Sequence, residues 1–187
     1  MALVNKNDVK SYINYSKDGN DGVISDLIDR VEEDLKKDLN DVAFDASGSY
    51  TTYTEYYDGQ NSYKLFLPKY PIRAITSIHI DSDRTFDAAT QVDSDNIITS
   101  KLGHGIVTLD GQIFVKGHGN VKIVYTAGWK ADDAPTAFKQ IIINRVVALL
   151  LEGVGGVNVV EESDFVYRPA KLRAQADELF KPYKRFF

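Results

Sequence analysis

Cysteine is absent from the 187 residues, which excludes disulfides, thiolate zinc sites and cysteine nucleophiles. Histidine occurs three times, as His79, His104 and His118, and no two have the spacing of a helical metal pair. Long apolar runs are missing too. The most apolar window, Ile141 to Leu151, is interrupted by Asn144 and Arg145 and is too short to cross a bilayer. The opening Met-Ala-Leu-Val-Asn-Lys-Asn-Asp lacks the apolar stretch of a signal peptide, so the expectation is a soluble chain without membrane contact. Positive charge is in deficit, with a net charge of −5. That argues against a general nucleic-acid coat, which needs clustered Lys and Arg to release counterions.

Motifs that carry chemistry are as sparse. No glycine-rich turn leads from a strand into a helix to cradle phosphate. Gly153 to Gly156 follows a helical run, and no Lys-Ser or Lys-Thr comes after it. There is no nucleophile elbow. Asp81-Ser82-Asp83 opens like a calcium loop, but position six is Phe86 where a glycine is needed, and position twelve is Val92 where a bidentate Glu is needed. A solvated loop is the better reading. His104 and His118 each lie between glycines and read as turn residues. Tyr50, Tyr53, Tyr56, Tyr57 and Tyr63 are the material of a sugar- or base-stacking platform. Yet Tyr53 and Tyr57 alternate to one side of an extended strand and Tyr50 and Tyr56 to the other, so packing is their expected use. The residues therefore predict no catalytic site, no metal, no cofactor and no enzyme, with a β-rich binding module as the alternative class.

What is present reads as α+β. Asn7 is placed to cap a short helix from Asp8 to Tyr15. A second helix, Gly22 to Leu39, carries Ile24, Leu27, Ile28, Val31, Leu35 and Leu39 on one stripe. Between Asp21 and Asp41 eight acids face three bases, giving either a solvated face or a surface that repels or guides a polyanion. From residue 46 to 133 the pattern turns to strands. Tyr50–Tyr57 and Tyr63–Leu67 read as a hairpin closed by Asp58-Gly59-Gln60-Asn61. Pro68 and Pro71 then force an extended bend. Ala74–Ile80, Ile97-Ile98, Ile106–Leu109, Ile113–Val115 and Val121–Thr126 follow, with the irregular Asp81–Asp95 between the first two. Residues 1–45 and 134–187 thus form a small helical bundle, with 46–133 inserted as an antiparallel β-sheet or barrel.

Pro135 suits a first helical position. The helix from there to Glu152 is apolar nearly all round, at Phe138, Ile141, Ile142, Ile143, Val146, Val147, Leu149, Leu150 and Leu151. Each such side chain is worth roughly 1.5–3 kcal/mol when fully buried. The helix is therefore the centre of the domain, part of a subunit contact, or both on opposite sides. Phe138, Ile142, Arg145, Val146 and Leu149 are the expected contact. Further on, Val157–Val160 and Asp164–Tyr167 read as extended. A last helix begins near Pro169, with Leu172, Ala176, Leu179 and Phe180 on one face, and stops at Pro182. Residues 168–187 hold six bases against two acids. The basic and aromatic Lys181, Tyr183, Lys184, Arg185, Phe186 and Phe187 are expected to dock on a partner.

The stretches Leu3-Val-Asn-Lys-Asn-Asp-Val-Lys-Ser-Tyr12, Thr54-Glu-Tyr-Tyr-Asp-Gly59 and Leu67-Pro-Lys-Tyr-Pro-Ile-Arg-Ala-Ile-Thr-Ser-Ile78 carry a resemblance. Asn120-Val-Lys-Ile-Val-Tyr-Thr-Ala-Gly128 and Pro135 to Leu151 add to it. Their order resembles the phage head–tail connector, or adaptor, proteins over roughly residues 1 to 152; the chain from Gly153 onward has no residue-by-residue match. The resemblance implies a single connector domain over 1–187 and a ring, commonly of twelve subunits, below the portal of a tailed phage. It implies the portal protein on one side and a tail-side connector or stopper protein on the other. DNA would pass through the lumen without sequence-specific binding. The expected location is the head–tail interface of the virion, after synthesis in the host cytoplasm.

Overall fold

The computed structural model describes residues 3–40, 44–45, 49–130, 132–153 and 168–184. The expected extended stretches at Val157–Val160 and Asp164–Tyr167, and Arg185, Phe186 and Phe187, lie outside these. The chain divides into two compact units, one built from residues 1–47 and 131–187 and the other from 48–130. The elements make an α+β fold. Among the described residues no helix is long and apolar enough to cross a membrane.

The first unit is helical. Helix α1, Lys6–Tyr12, starts at Asn5 rather than Asn7. The Asn5 side chain accepts the N–H groups of Asn7 and Asp8, at 2.8 and 3.1 Å, and Asp8 accepts the Asn5 N–H at 2.9 Å. This reciprocal box satisfies more orphan donors than Asn7 alone offers, which is why the start moves. Helix α2, Asp21–Asp38, buries Ile24, Leu27, Ile28, Val31 and Leu35 on its stripe. Asp21 takes Lys6 at 2.5 Å and Lys10 at 2.9 Å, tying α1 to the start of α2. The Lys6 and Lys10 ammonium groups hold the Asp21 carboxyl below its usual range. Glu32, in the acidic run, is half-buried and accepts the Leu3 N–H at 2.6 Å. Burial pushes its pKa up, against the pull of that bond.

Helix α3, Thr136–Leu151, is the unit's axis. Pro135 is its N-cap, at φ −54° and ψ 134°, so the helix begins at Thr136, one residue after the expected start at Pro135. Phe138, Ile141, Ile142, Val146, Val147, Ala148 and Leu150 are buried, and α3 packs on α1, on α2 and on α4, Pro169–Phe180. The buried Asn144 accepts a bond from Gln140 at 2.7 Å, so its polarity inside the core is satisfied. Helix α4 buries Leu172, Ala176 and Phe180, and a single 3-10 turn, Lys181–Tyr183, follows it.

The second unit holds two antiparallel three-stranded sheets over one buried cluster. The two-residue β1, Phe44–Asp45, belongs to the first unit; the strands of the second are β2 (Thr51–Gly59), β3 (Lys64–Phe66), β4 (Ile72–Ile80), β5 (Ile97–Ile98), β6 (Ile106–Leu109), β7 (Gly117–Ala127) and β8 (Trp129–Lys130). The first sheet runs β2-β7-β4 and the second β3-β6-β5; no closed barrel forms among the described residues. Val121, Ile123, Tyr125 and Ala127 of β7 alternate into the core beside Ile72 and Ile78 of β4. Val107 and Leu109 of β6 meet them from the other sheet.

The expected hairpin between β2 and β3 does not form. β2 pairs with β7, in unbroken register from Thr51↔Ala127 to Tyr57↔Val121. Asn61, at φ 54°, turns the chain away. Its N–H donates to the Phe114 carbonyl and the Phe114 N–H to the Ser62 carbonyl, both at 2.8 Å, so β3 starts on the second sheet. The expected strand at Ile113–Val115 reduces to that isolated Ser62–Phe114 bridge. Gly59 must be glycine, since a Cβ there would lie 1.8 Å from the Val115 carbonyl oxygen.

Because α3 is enclosed by its own unit, Ile142→Ala should destabilise the isolated subunit by about 2–5 kcal/mol. Half-buried Leu149 should cost clearly less on the same truncation. Urea unfolding followed by circular dichroism measures both; equal losses would contradict the burial pattern.

Candidate assembly surfaces

The expected contact on α3 divides in two. Phe138, Ile142 and Val146 have no exposed surface and are used in the subunit's own core. Arg145 and Leu149 keep some exposure. Arg145 donates through both terminal nitrogens to Asp38, at 3.0 and 3.1 Å, and lies 3.8 Å from Asp177. It thereby links the end of α2 to α4, at a partly exposed position where such pairs contribute little, about 0–1 kcal/mol.

The expected docking segment divides as well. Tyr183 stacks edge-on against Phe138, ring centroids 4.7 Å apart, so its ring belongs to the helical core. Lys181 pairs with Glu178 at 2.5 Å, and the Lys184 ammonium lies over the Phe180 ring at 5.5 Å. Both lysines are exposed.

In the β unit, Tyr53 and Tyr57 turn inward and pack on the buried cluster. They leave no one-sided tyrosine platform. Between them lies Glu55, a residue whose role sequence reasoning missed. Its carboxylate accepts from the hydroxyls of Tyr57 and Tyr125 and from the Lys69 ammonium. The signal was there in the alternation: a lone acid at the inward position between two inward tyrosines needs donors. Burial raises the Glu55 pKa, but Lys69, Tyr125 and Tyr57 outweigh it and hold the carboxyl below its usual range. Burial, and the Glu55 carboxylate after it, push both tyrosines well above the ordinary phenol value.

The loop is solvated as expected at Ser82, Asp83, Arg84 and Thr85, but Asp81 itself is buried. Its oxygens accept the N–H groups of Asp83 at 2.9 Å and of Thr85 and Phe86 at 2.8 Å, and the Thr85 hydroxyl at 2.8 Å. Chiefly the Phe86 N–H and then the Thr85 hydroxyl lower its pKa to about 2. The carboxylate pins a loop in which Arg84 and Phe86 take left-handed backbone, φ 60° and 52°, a conformation costing about 1–2 kcal/mol per residue. Its donors come from its own loop, which accounts for the carboxylate without a cation. The histidines have separate partners: His79 Nδ1 lies 3.1 Å from the Asp87 carbonyl and His118 Nδ1 3.0 Å from Asp58.

Exposed large apolar side chains concentrate in this unit. Tyr56, Tyr63, Phe66, Ile98, Ile113 and Val115 are those among the described residues. Phe66 and Ile98 stand on the outer face of the second sheet, on the edge strands either side of β6. Tyr56 and Phe66 also border a groove of about 500 Å³ whose lining includes the buried Phe114. Such surfaces mark contact sites more often than catalytic ones.

A family model described as head completion protein matches residues 2–144. None of the curated proteins matches the chain. Among solved structures, the chain is similar to one in the neck of a native GTA particle computed with C12 symmetry, at TM-score 0.56 and 12% identity, covering 92% of this chain and 86% of that one. It is similar to one in the neck of an empty GTA particle computed with C6 symmetry, at 0.57 and 12%, with the same coverage. A third, from the virion of a native gene transfer agent particle, gives 0.52 and 11% over 90% of this chain and 86% of that one. At these identities the likeness is one of fold.

Asp81 and Glu55 contribute to the acid behaviour of the β unit together with Asp58, whose carboxyl the Gly119 N–H and then His118 hold below its usual range; Trp129 of this unit is the chain's single tryptophan. Asp81 and Glu55 are both lowered in the folded state. Their stabilisation is therefore full above the unfolded-chain values and is lost as pH falls through the folded ones, for Asp81 between 3.8 and about 2. Urea midpoints read from Trp129 fluorescence should fall in that acid range. Asp81→Asn should lower the midpoint near neutrality yet give a shallower acid limb; an unchanged limb would refute the assignment.

Proposed function

We propose a structural role at the junction of head and tail, from the premise that the chain belongs to the head completion protein family. The observation that carries this reading is the family match over residues 2–144. The fold likeness to chains of two particle necks supports it. The protein is then a component of the virion neck that works by contact rather than by catalysis.

In this reading the subunits form a ring, as the C12 and C6 symmetries of those necks suggest for a chain of this fold. One side of the ring meets the portal protein and the other a tail-side connector or stopper. DNA passes through the lumen without sequence-specific binding. The net charge of −5 suits a channel that a polyanion must cross without sticking. Since Phe138, Ile142 and Val146 are enclosed, the α3 share of a subunit contact comes down to Leu149 and its surroundings. Lys181, Lys184 and Arg185 to Phe187 are the docking segment that Tyr183, held on Phe138, leads into.

Removing the gene should leave DNA-filled heads and separate tails in electron micrographs, with joining restored by the purified protein. Complete tailed particles without the gene would overturn the role. Deleting residues 184–187, which spares the Tyr183–Phe138 contact, should keep the melting temperature and weaken binding to purified portal rings. Unchanged binding would remove the docking function from that segment.

A further inference from the structure

The pair Asp-Gly occurs four times in the chain, at residues 18–19, 21–22, 58–59 and 110–111. An aspartate followed by glycine can react with its own backbone. The glycine nitrogen attacks the side-chain carboxyl carbon, and glycine has no Cβ to shield that nitrogen. The attack requires the carboxyl to swing onto the next amide while the backbone between them turns. The folded surroundings therefore decide which of the pairs reacts.

Three pairs are held. Asp21 takes Lys6 at 2.5 Å and Lys10 at 2.9 Å, and Gly22 lies inside α2. Asp18 is tied to Lys10 at 2.7 Å, and its carbonyl accepts the Asp21 N–H at 3.1 Å. Asp58 accepts the Gly119 N–H at 2.6 Å and lies 3.0 Å from His118 Nδ1. The nitrogen of its glycine is engaged as well, since the buried Gly59 N–H donates to the Asn120 side-chain oxygen at 2.9 Å. Each of these carboxylates must first leave a partner, and Gly59 must also leave the core.

Asp110-Gly111 is differently placed. Both residues are exposed, in the bend that follows β6. Gly111 takes left-handed backbone, φ 67°, which glycine adopts without steric cost, and a Cβ built on it would meet open space. The Asp110 N–H donates to the Asn96 carbonyl at 2.8 Å. The amino side of the residue is thus anchored, while its carboxyl side leads into the bend.

We propose that Asp110-Gly111 is a self-modification site, where Asp110 becomes isoaspartate through a succinimide. The Gly111 nitrogen bonds to Asp110 Cγ, and the hydroxyl of the protonated carboxyl leaves with the amide proton as water. Solvent water then opens the ring. Addition at Cγ restores aspartate. Addition at the α-carbonyl carbon leaves Gly111 joined through Cγ and frees the former main-chain carbonyl as a carboxylate. Charge is conserved, but the main chain lengthens by one carbon. That carbon enters between two anchors, the Asp110–Asn96 bond and Phe114, whose N–H and carbonyl bond Ser62 and Asn61 at 2.8 Å each. The seat of Phe114 beside its groove is what the longer chain disturbs. The inference stands apart from the neck reading; in a particle, where no chain is replaced after assembly, the product accumulates.

The test holds the full chain at physiological temperature and neutral pH, beside a sample unfolded in guanidinium chloride. Isoaspartate is read by methyl labelling with an isoaspartyl methyltransferase and assigned by peptide mapping with electron-transfer fragmentation. In the folded chain it should build at Asp110 at least about tenfold faster than at Asp21 or Asp58, which need local opening first. Asp18 should also lag behind Asp110, whereas the unfolded chain converts all four. Equal or faster conversion at any of the other three in the folded chain overturns the proposal. So does an Asp110 that stays intact there while it converts in the unfolded sample. Asp110→Glu, whose ring would need six members, should melt as the parent does and lose most of the label; retained label overturns the assignment. Should that variant melt early, the site-by-site map of the parent decides alone.

Discussion

A central strand must satisfy its backbone on both sides, and β7 does so with β2 along one edge and β4 along the other. The β unit depends on that double pairing. It brings Val121, Ile123 and Tyr125 under the sheet, and it sets Tyr125 where its hydroxyl can reach Glu55. At the start of β7, buried Asn120 accepts the Gly59 N–H and donates to the Val115 carbonyl, both at 2.9 Å. One amide thus fastens the end of β2 to the segment entering β7. That leaves β3 to the second sheet, where it pairs with β6.

The helical unit follows the same logic with α3 in the central place. A helix apolar on nearly every side needs neighbours on nearly every side, and α1, α2 and α4 supply them. Side chains that would be too apolar for a surface helix are absorbed within the subunit. Among the described residues, the half-buried Leu149, the exposed lysines after α4 and the exposed apolar residues of the β unit stay outside the cores. These are spread over both units.

Periodicity made the helices legible: the stripe on α2 and the girdle on α3 lie where the spacing of Ile, Leu and Val put them. Helix starts were off by one or two positions because capping is decided by which reciprocal bonds close, and Asn5 with Asp8 closes more than Asn7. The hairpin was misread because adjacency favours β2 with β3, whereas β7, distant in sequence, offers a longer buried partner. Burial of Asp81 was invisible because its donors are backbone groups that any sequence has. No local pattern could assign Tyr183 to Phe138, since that stack joins residues far apart in the chain.

The helical unit is interrupted by the whole β unit, and α2 ends at Asp38 while α3 begins at Thr136. The ribosome therefore delivers α1 and α2 well before the helix on which they pack. At about 5–20 residues per second, the gap lasts on the order of 5–20 s. The β unit is made within that interval and has its last core residue, Ala127, only near its end, while the apolar stripe of α2 waits without α3. Closure of the helical unit is a late event in synthesis. Nascent chains crowded on one messenger thus carry helical units that stay incomplete until α3 has been made.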